Sequence, residues 1–151
     1  MRIFFDTNVI LEYLLNRQNA NDVERVLTYT ERTGALKYVS SGSFYTLIYL
    51  LDIDLKRKGL EVTSRVDRLR KVLNILLSEY SVVDCIDWNE GVNDSRFLDM
   101  EDSYQFQAAL AAHCNFLLTF NLHDFGNVLS EEKLCVLSPK EFLLRIKDCE
   151  K

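Results

Sequence analysis

The stretch MRIFFDTNVILEYLL at the start of the chain changes from strand-like to helix-like spacing at a single acidic residue. Arg2–Phe5 is a short, mostly apolar run suited to a buried parallel strand, and the apolar residues after Asn8 recur at helical spacing. Asp6 lies between the expected strand and the expected helix. Ligands of open α/β sheets bind beyond the carboxyl ends of strands, so this order predicts that Asp6 borders a crevice. Helix capping is the alternative role for its side chain.

Strand-like and helix-like segments alternate along the whole chain. Further strands are expected at 36–40, 82–86, 116–120 and 134–137. Helices are expected from a capping box at Asn21 and Glu24 to Gly34, from Ser43 to Gly59, over 62–80, 89–98 and 101–113, and from a second box at Ser138 and Glu141. The alternation predicts an α/β protein, a three-layer α/β/α sandwich around a central, mostly parallel sheet of about five strands. We expect residues 1–151 to form a single domain.

The composition indicates a folded protein, with 48% hydrophobic residues, 27% charged residues and one proline. No apolar run approaches the roughly 18 residues of a membrane span, so no membrane association is expected. The cysteines show neither a CxxC pair nor zinc-site spacing, which predicts reduced thiols in a cytoplasmic protein. They are Cys85, Cys114, Cys135 and Cys149.

Charge is distributed unevenly along the chain. Residues 56–71, which we call the basic arm, contain seven lysines or arginines and two acids, whereas residues 84–102 contain seven acids and one arginine. A solvated helix face is one interpretation of such an arm, and contact with phosphates is the other. The candidate RNA-binding residues of the arm are Lys56, Arg57, Lys58, Arg65 and Arg68.

Two further acidic segments occur late in the chain, LDMEDSYQ at an expected helix start and TFNLHDF after an expected strand. Right-handed crossovers between parallel strands bring the strand ends to one edge of a sheet, where both segments would meet Asp6. Each acid also has an ordinary structural role open to it. Glu101 and Asp102 suit the positive end of a helix, Asp99 suits its cap, and Asp124 suits a turn.

The segments FFDTNVILEYL and DMEDSYQFQAALAAHCNFLLTFNLHDF, with the βα pattern between them, resemble a PIN domain over nearly the whole chain. PIN domains are typically metal-dependent ribonucleases, and many are the toxins of prokaryotic toxin–antitoxin pairs. The resemblance therefore implies RNA phosphodiester hydrolysis with Mg²⁺ or Mn²⁺, a small cognate antitoxin as partner, and a homodimer.

The resemblance also assigns roles to individual residues. Asp6, Asp102 and Asp124 match the catalytic, metal-binding carboxylates of the family, and hard divalent cations prefer such oxygen ligands. Asn8 and Thr119 match polar positions beside the metal. Additional metal ligands implied near these positions are Asp99, Glu101 and Asn121.

One position departs from the family pattern. PIN domains usually carry a Glu on the helix after the second strand, where this chain has Thr46 and no acid from Val39 to Leu51. Three outcomes follow from this loss. Asp99 or Glu101 substitutes from the neighbouring loop, the enzyme operates with one weakly held metal, or the protein binds RNA without cutting it.

The alternative functions are therefore a catalytically weak or inactive RNA-binding module and, more distantly, aspartyl-phosphate chemistry. A phosphatase of that type requires a second Asp two residues after the first, where this chain has Asn8. A receiver domain requires an acidic pair after the first strand and a lysine after a late strand, and neither is present.

Overall fold

The computed structural model of the protein describes residues 1–128 and 133–149. Its centre is a parallel sheet with the strand order β3-β2-β1-β4-β5. The strands are β1 (Arg2–Phe5), β2 (Leu36–Ser40), β3 (Tyr80–Val83), β4 (Phe116–Leu118) and β5 (Cys135–Leu137). The helices are α1 (Thr7–Leu14), α2 (Ala20–Thr33), α3 (Ser41–Arg57), α4 (Val62–Glu79), α5 (Trp88–Asn93), α6 (Met100–Ala111) and α7 (Pro139–Cys149).

Helices cover both faces of this sheet. Ile3 and Phe5 of β1 pack on one side, against α1, α2, α3, α4 and α7, while Phe4 packs on the other side, against α6. All three side chains are completely buried, as expected for a central parallel strand whose residues alternate between two covered faces. The three-layer α/β/α sandwich predicted from the sequence is therefore confirmed.

The strand order fixes where a ligand site can form. The chain moves outward from β1 to β2 and β3 and then returns to the opposite side of β1 to form β4. The order thus reverses between β1 and β4, and crevices for ligands open at such switch points beyond the carboxyl ends of the strands. Asp6 follows β1 at this point, and its backbone N–H donates to the carbonyl of Leu118, 3.0 Å away.

Two helix-start predictions have opposite outcomes. The capping box predicted at Asn21 and Glu24 is wrong, because α2 already begins at Ala20, after Asn19. The box at Ser138 and Glu141 is present, since the Ser138 N–H donates to the Glu141 carboxylate at 2.8 Å and the Glu141 N–H donates to Ser138 Oγ at 3.2 Å. The predicted end of α2 at Gly34 is confirmed by a left-handed φ of 68°.

Several other boundaries differ from the sequence prediction. The third strand lies at Tyr80–Val83 and not at 82–86, because it follows α4 without a loop. The helix predicted over 89–98 ends at Asn93, since the Asp94 carboxylate accepts hydrogen bonds from the backbone and guanidinium of Arg96 and forms a turn. The helix predicted from Ser43 begins two residues earlier at Ser41, with Ser40 as its cap. Strands β4 and β5 are shorter than predicted, by two residues and one residue.

Within the described ranges, no helix combines the length and apolar character that crossing a membrane requires. Cys85, Cys114 and Cys135 are free thiols, and the side chain of Cys149 lies outside the described part of the chain.

We predict that truncating Phe142 destabilises the whole sandwich. The ring is completely buried between Tyr29 and Phe116, with ring-centre distances of 5.7 and 5.2 Å. Phe142→Ala should lower the free energy of unfolding by about 3–5 kcal/mol in a denaturant titration, because it removes buried surface and leaves a cavity.

Leu144→Ala, on the same helix but 55% exposed, is the matched control and should change the free energy of unfolding by less than about 0.5 kcal/mol. Because we propose that residues 1–151 fold as one domain, the transition should remain single and cooperative in both variants. Separate melting of α7 in Phe142→Ala would contradict that proposal.

Candidate active site at the carboxyl edge of the sheet

Asp6 is a buried carboxylate held by side chains from two parts of the chain. Its side chain is 3% exposed and accepts hydrogen bonds from Thr119 Oγ1 at 2.7 Å and Asn8 Nδ2 at 2.6 Å. Asp6 has the N-cap position of α1, yet its side chain makes no capping hydrogen bond. The backbone N–H groups of Thr7 and Asn8 still help to stabilise the charged form of Asp6, so its carboxylate interacts with the helix start as well as with Thr119.

Asn8 and Thr119 join the first helix to the loop after β4. The backbone N–H of Phe120 donates to Asn8 Oδ1 at 3.2 Å, and that of Asn121 donates to Thr119 Oγ1 at 3.0 Å. With its hydroxyl proton donated to Asp6, Thr119 Oγ1 can accept from Asn121 at the same time. The two polar residues singled out in the sequence thus fix the orientation of the Asp6 carboxylate.

The start of α6 places further carboxylates opposite Asp6. Asp99 caps the helix, accepting from the N–H groups of Glu101 at 2.7 Å and Asp102 at 3.4 Å. The Asp102 side chain is buried and lies within electrostatic range of Asp6, whereas Asp99 and Glu101 are exposed. Asp99 therefore has the capping role that its sequence context allowed, in addition to its place beside the other acids.

These acids share one strongly negative environment. Burial raises the pKa of Asp102, and the charges of Asp6, Asp99, Asp124 and Glu101 raise it further, to about 7. Partial desolvation also raises the pKa of Glu101, with Asp6 and Asp99 adding to the effect. The pKa of Asp6 is raised by burial as well, although hydrogen bonds from Thr119 and Gln105 oppose the shift. Carboxylates from three separate segments of the chain thus repel one another at the switch point.

Asp124 and Asn121 lie in the loop that follows β4. The Asp124 N–H donates to the Asn121 carbonyl at 3.0 Å and closes a turn, the structural role considered for this segment. Both side chains are exposed, and the Asp124 charge reaches Asp102. A cavity of about 640 Å³ opens beside them, lined by Arg96, Leu98, Asp99, His123, Asp124, Gly126 and Asn127.

Thr46 lies half-buried on α3, one turn after Gly42, which packs against the ring of Tyr104. A different carboxylate stands near the start of this helix. Asp84 follows β3 directly and accepts hydrogen bonds from the hydroxyls of Ser41 and Tyr104. The sequence analysis did not single out Asp84, because placing the third strand at 82–86 hid the fact that an acid follows its end.

Gln105 is a second residue that the sequence analysis missed. Its side chain is 2% exposed and lies beside Asp6, and its Oε1 has no hydrogen-bond partner among the residues described. A buried glutamine three residues after Asp102, on the same face of α6, was the available signal. Its amide N–H group donates to Asp6, so Gln105 helps to hold that carboxylate.

The donor set fits a hydrated divalent cation better than a fully chelated one. In the two described ranges, no three His, Cys, Asp or Glu side chains stand close enough to enclose a metal ion. Mg²⁺ commonly retains several waters and binds through one or two carboxylates, and Asp6 and Asp102 are the most buried acids of the cluster. Both carboxylates have the chemistry that such an ion requires.

The basic arm does not enter this site. Lys56, Arg57 and Lys58 are exposed at the far end of α3, about 22 Å along the helix from Ser41. Arg65 of α4 donates to the Asp52 carboxylate at 2.8 Å, and Arg68 is exposed. The candidate RNA-binding residues thus lie on the α3–α4 pair, away from the carboxylates.

Comparison with known proteins agrees with this architecture. One chain of the crystal structure of VapBC2 from Rickettsia felis bound to a DNA fragment from their promoter is 15% identical and has a TM-score of 0.59, with 91% of this chain and 98% of that chain covered. A chain of a toxin–antitoxin complex from Klebsiella pneumoniae is 18% identical with a TM-score of 0.61, covering 91% and 97%. At these identities the similarity concerns the fold.

The search of curated proteins gave no significant match. The sequence profile of the PIN domain, however, matches residues 2–123, which include Asp6, the start of α6 and the first part of the loop after β4, and the match ends one residue before Asp124. The chain therefore belongs to the PIN domain family.

Proposed function

We propose that this protein is a divalent-metal-dependent endoribonuclease and the toxin of a toxin–antitoxin pair. The observation that carries the proposal is that Asp6 and Asp102 are buried acids at the switch point of a PIN domain, where the charges of Asp6 and Asp124 both raise the pKa of Asp102. Two buried carboxylates surrounded by further acids are costly to fold, and a bound cation offsets that cost.

Asp6 and Asp102 would hold Mg²⁺ or Mn²⁺, with Asp124, Asp99, Glu101 and Asn121 acting through water around it. When bound, the cation supplies positive charge that makes a bound water more acidic and stabilises the negative charge developing on the phosphate. Asn8 and Thr119 keep the Asp6 carboxylate in one orientation through hydrogen bonds of 2.6 and 2.7 Å. Behind Asp6, the fully buried Phe5 and Leu118 exclude water from the floor of the site.

The partner part of the proposal is supported by the solved relatives. The Klebsiella pneumoniae structure is a toxin–antitoxin complex, the Rickettsia felis structure is VapBC2 bound to a DNA fragment from their promoter, and a chain of each matches this chain over 91% of its length. We propose that a small cognate antitoxin binds this protein as well, and that the protein acts as a homodimer on cytoplasmic RNA.

We also consider an RNA-binding module that does not cut. It is favoured by one observation, the absence of any carboxylate from Ser41 to Leu51 on α3, where Thr46 stands in the position of the family Glu. Undiminished RNA affinity in Asp6→Asn, with no metal binding in the unsubstituted protein by calorimetry, would support this second function.

Purified protein with Mn²⁺ or Mg²⁺ should cleave RNA, and excess chelator should stop the cleavage. Asp6→Asn and Asp102→Asn should each lower the cleavage rate about 100-fold or more, since each removes a charge from the metal site. Gel analysis of a labelled RNA measures the rate. Glu90→Gln, an exposed acid on α5, is the matched control and should cleave at the normal rate. Intact RNA at every metal concentration would contradict the enzymatic proposal.

The raised pKa of Asp102 predicts how metal-free stability depends on pH. Between the ordinary pKa of 3.8 and about 7, the folded protein holds a proton that the unfolded chain releases, so the free energy of unfolding falls as the pH rises. Thermal melts in chelator, recorded in a series of buffers from about pH 5 to about pH 8, should show a Tm that falls as the pH rises. Asp102→Asn should reduce this fall and melt higher than the unsubstituted protein at the upper pH.

Glu90→Gln again serves as the control and should show the normal pH dependence, because its side chain is exposed on α5. Equal pH dependence in Asp102→Asn and the unsubstituted protein would show that Asp102 is not the group that titrates.

Replacing Thr46 with the family's Glu tests the missing carboxylate. Thr46→Glu adds a negative ligand beside the existing acids, so the metal concentration for half-maximal cleavage should fall roughly tenfold. Thr46→Gln has nearly the same shape without the charge and should leave that concentration unchanged. Metal titrations of the cleavage rate make the comparison, and identical behaviour of Glu and Gln variants would place position 46 outside the metal site.

A further inference from the structure

The outer face of α3 carries an unusual row of exposed side chains. Tyr45 is 73% exposed and Tyr49 is 66% exposed, one turn apart, and the exposed Lys56 follows two turns later. At 3.6 residues per turn, these three residues lie within about 40° of one another around the helix axis. We call Tyr45, Tyr49 and Lys56 the α3 stripe.

The α3 stripe begins beside the carboxylate site. Ser41, one turn before Tyr45, donates its hydroxyl to Asp84, which also accepts from the hydroxyl of Tyr104 on α6. Tyr104 lies two residues after Asp102, and its ring stacks on Trp88 with a centre distance of 4.6 Å and an interplanar angle of 26°. Trp88 itself is 60% exposed. Exposed aromatic surface therefore starts next to the site and continues along α3.

From Ser41 toward the basic arm, the surface along the α3 stripe changes from acidic to basic, which favours contact with a polyanion. The carboxylate of Asp84 is engaged by two hydroxyl donors, and that of Asp52, on the same face of α3, is paired with Arg65 at 2.8 Å. Beyond Tyr49 the stripe reaches Lys56 and the rest of the basic arm. The path thus runs from an acidic, metal-suited centre over aromatic rings to a cationic end.

We propose that the α3 stripe is a stacking track for an unpaired stretch of RNA that leads away from the cleavage site to the basic arm. Aromatic side chains stack on single-stranded bases of any sequence, whereas a cationic groove follows the backbone, and this combination is typical of single-strand binding. A base-paired duplex keeps its bases stacked on each other and offers none to Tyr45 or Tyr49. This proposal rests on the ribonuclease function proposed above, and it specifies the path that the single-stranded RNA takes across the protein surface.

The test measures binding of a labelled, unstructured RNA of about 12 nucleotides by fluorescence anisotropy in chelator, so that no cleavage occurs. The variant Tyr45→Ala/Tyr49→Ala should bind about 10- to 100-fold more weakly, because each lost stacking contact weakens single-strand binding. Tyr45→Phe/Tyr49→Phe keeps both rings and should bind normally. Tyr13→Ala, at a 41% exposed aromatic residue on α1, is the control and should also bind normally.

A duplex of the same RNA should bind more weakly than the single strand and should not distinguish the double alanine variant from the unsubstituted protein. Single-strand affinity unchanged in the double alanine variant overturns the track. The track is also overturned if the double alanine variant converts a dimer to a monomer and keeps its RNA affinity, because the α3 stripe is then an interface between two copies of the protein. Because binding is measured without metal, absence of cleavage in the metal-containing assay refutes the ribonuclease function separately.

Discussion

The pairing of β1 with β4 at the centre of the sheet is the constraint on which the rest of this protein depends. It joins strands more than a hundred residues apart and brings the Asp6 N–H to the Leu118 carbonyl at 3.0 Å. Thr119, the next residue after Leu118, then meets the Asp6 carboxylate at 2.7 Å. Because the strand order reverses at this pair, the same contact that completes the core also opens the crevice for the site.

The acids at this edge of the sheet repel one another, and this repulsion destabilises the folded protein. The pKa of Asp102 is raised to about 7 because burial and four neighbouring carboxylates oppose its ionisation. Such uncompensated repulsion is typical of functional sites, where stability is given up for chemistry. Asp84, held by Ser41 and Tyr104, is a hydrogen-bonded anchor between α3 and α6.

Helix α3 connects the two charged regions of the molecule. It begins beside the carboxyl edge at Ser41 and ends at Arg57 in the basic arm, so the acids and the cations stand at opposite ends of one rigid element. Although the net charge of the protein is −5, its cationic side chains are concentrated at one end of this helix, and local concentration of charge is what contact with phosphates requires. The exposed tyrosines between the two ends give the intervening surface a chemistry of its own.

The sequence by itself determined the fold class, the order of the strands and helices along the chain, and the acids Asp6 and Asp102 at element ends, whereas the resemblance to PIN domains singled out Asn8 and Thr119. These are local properties, since apolar periodicity and acidic residues at element ends can be seen without knowing the tertiary structure. The start of β3, the extent of α5 and the roles of Asp84 and Gln105 were decided only by tertiary structure. The reason is that edge-strand pairing, the turn at Asp94 and the burial of Gln105 beside Asp6 depend on contacts between segments distant in sequence, which no local pattern encodes.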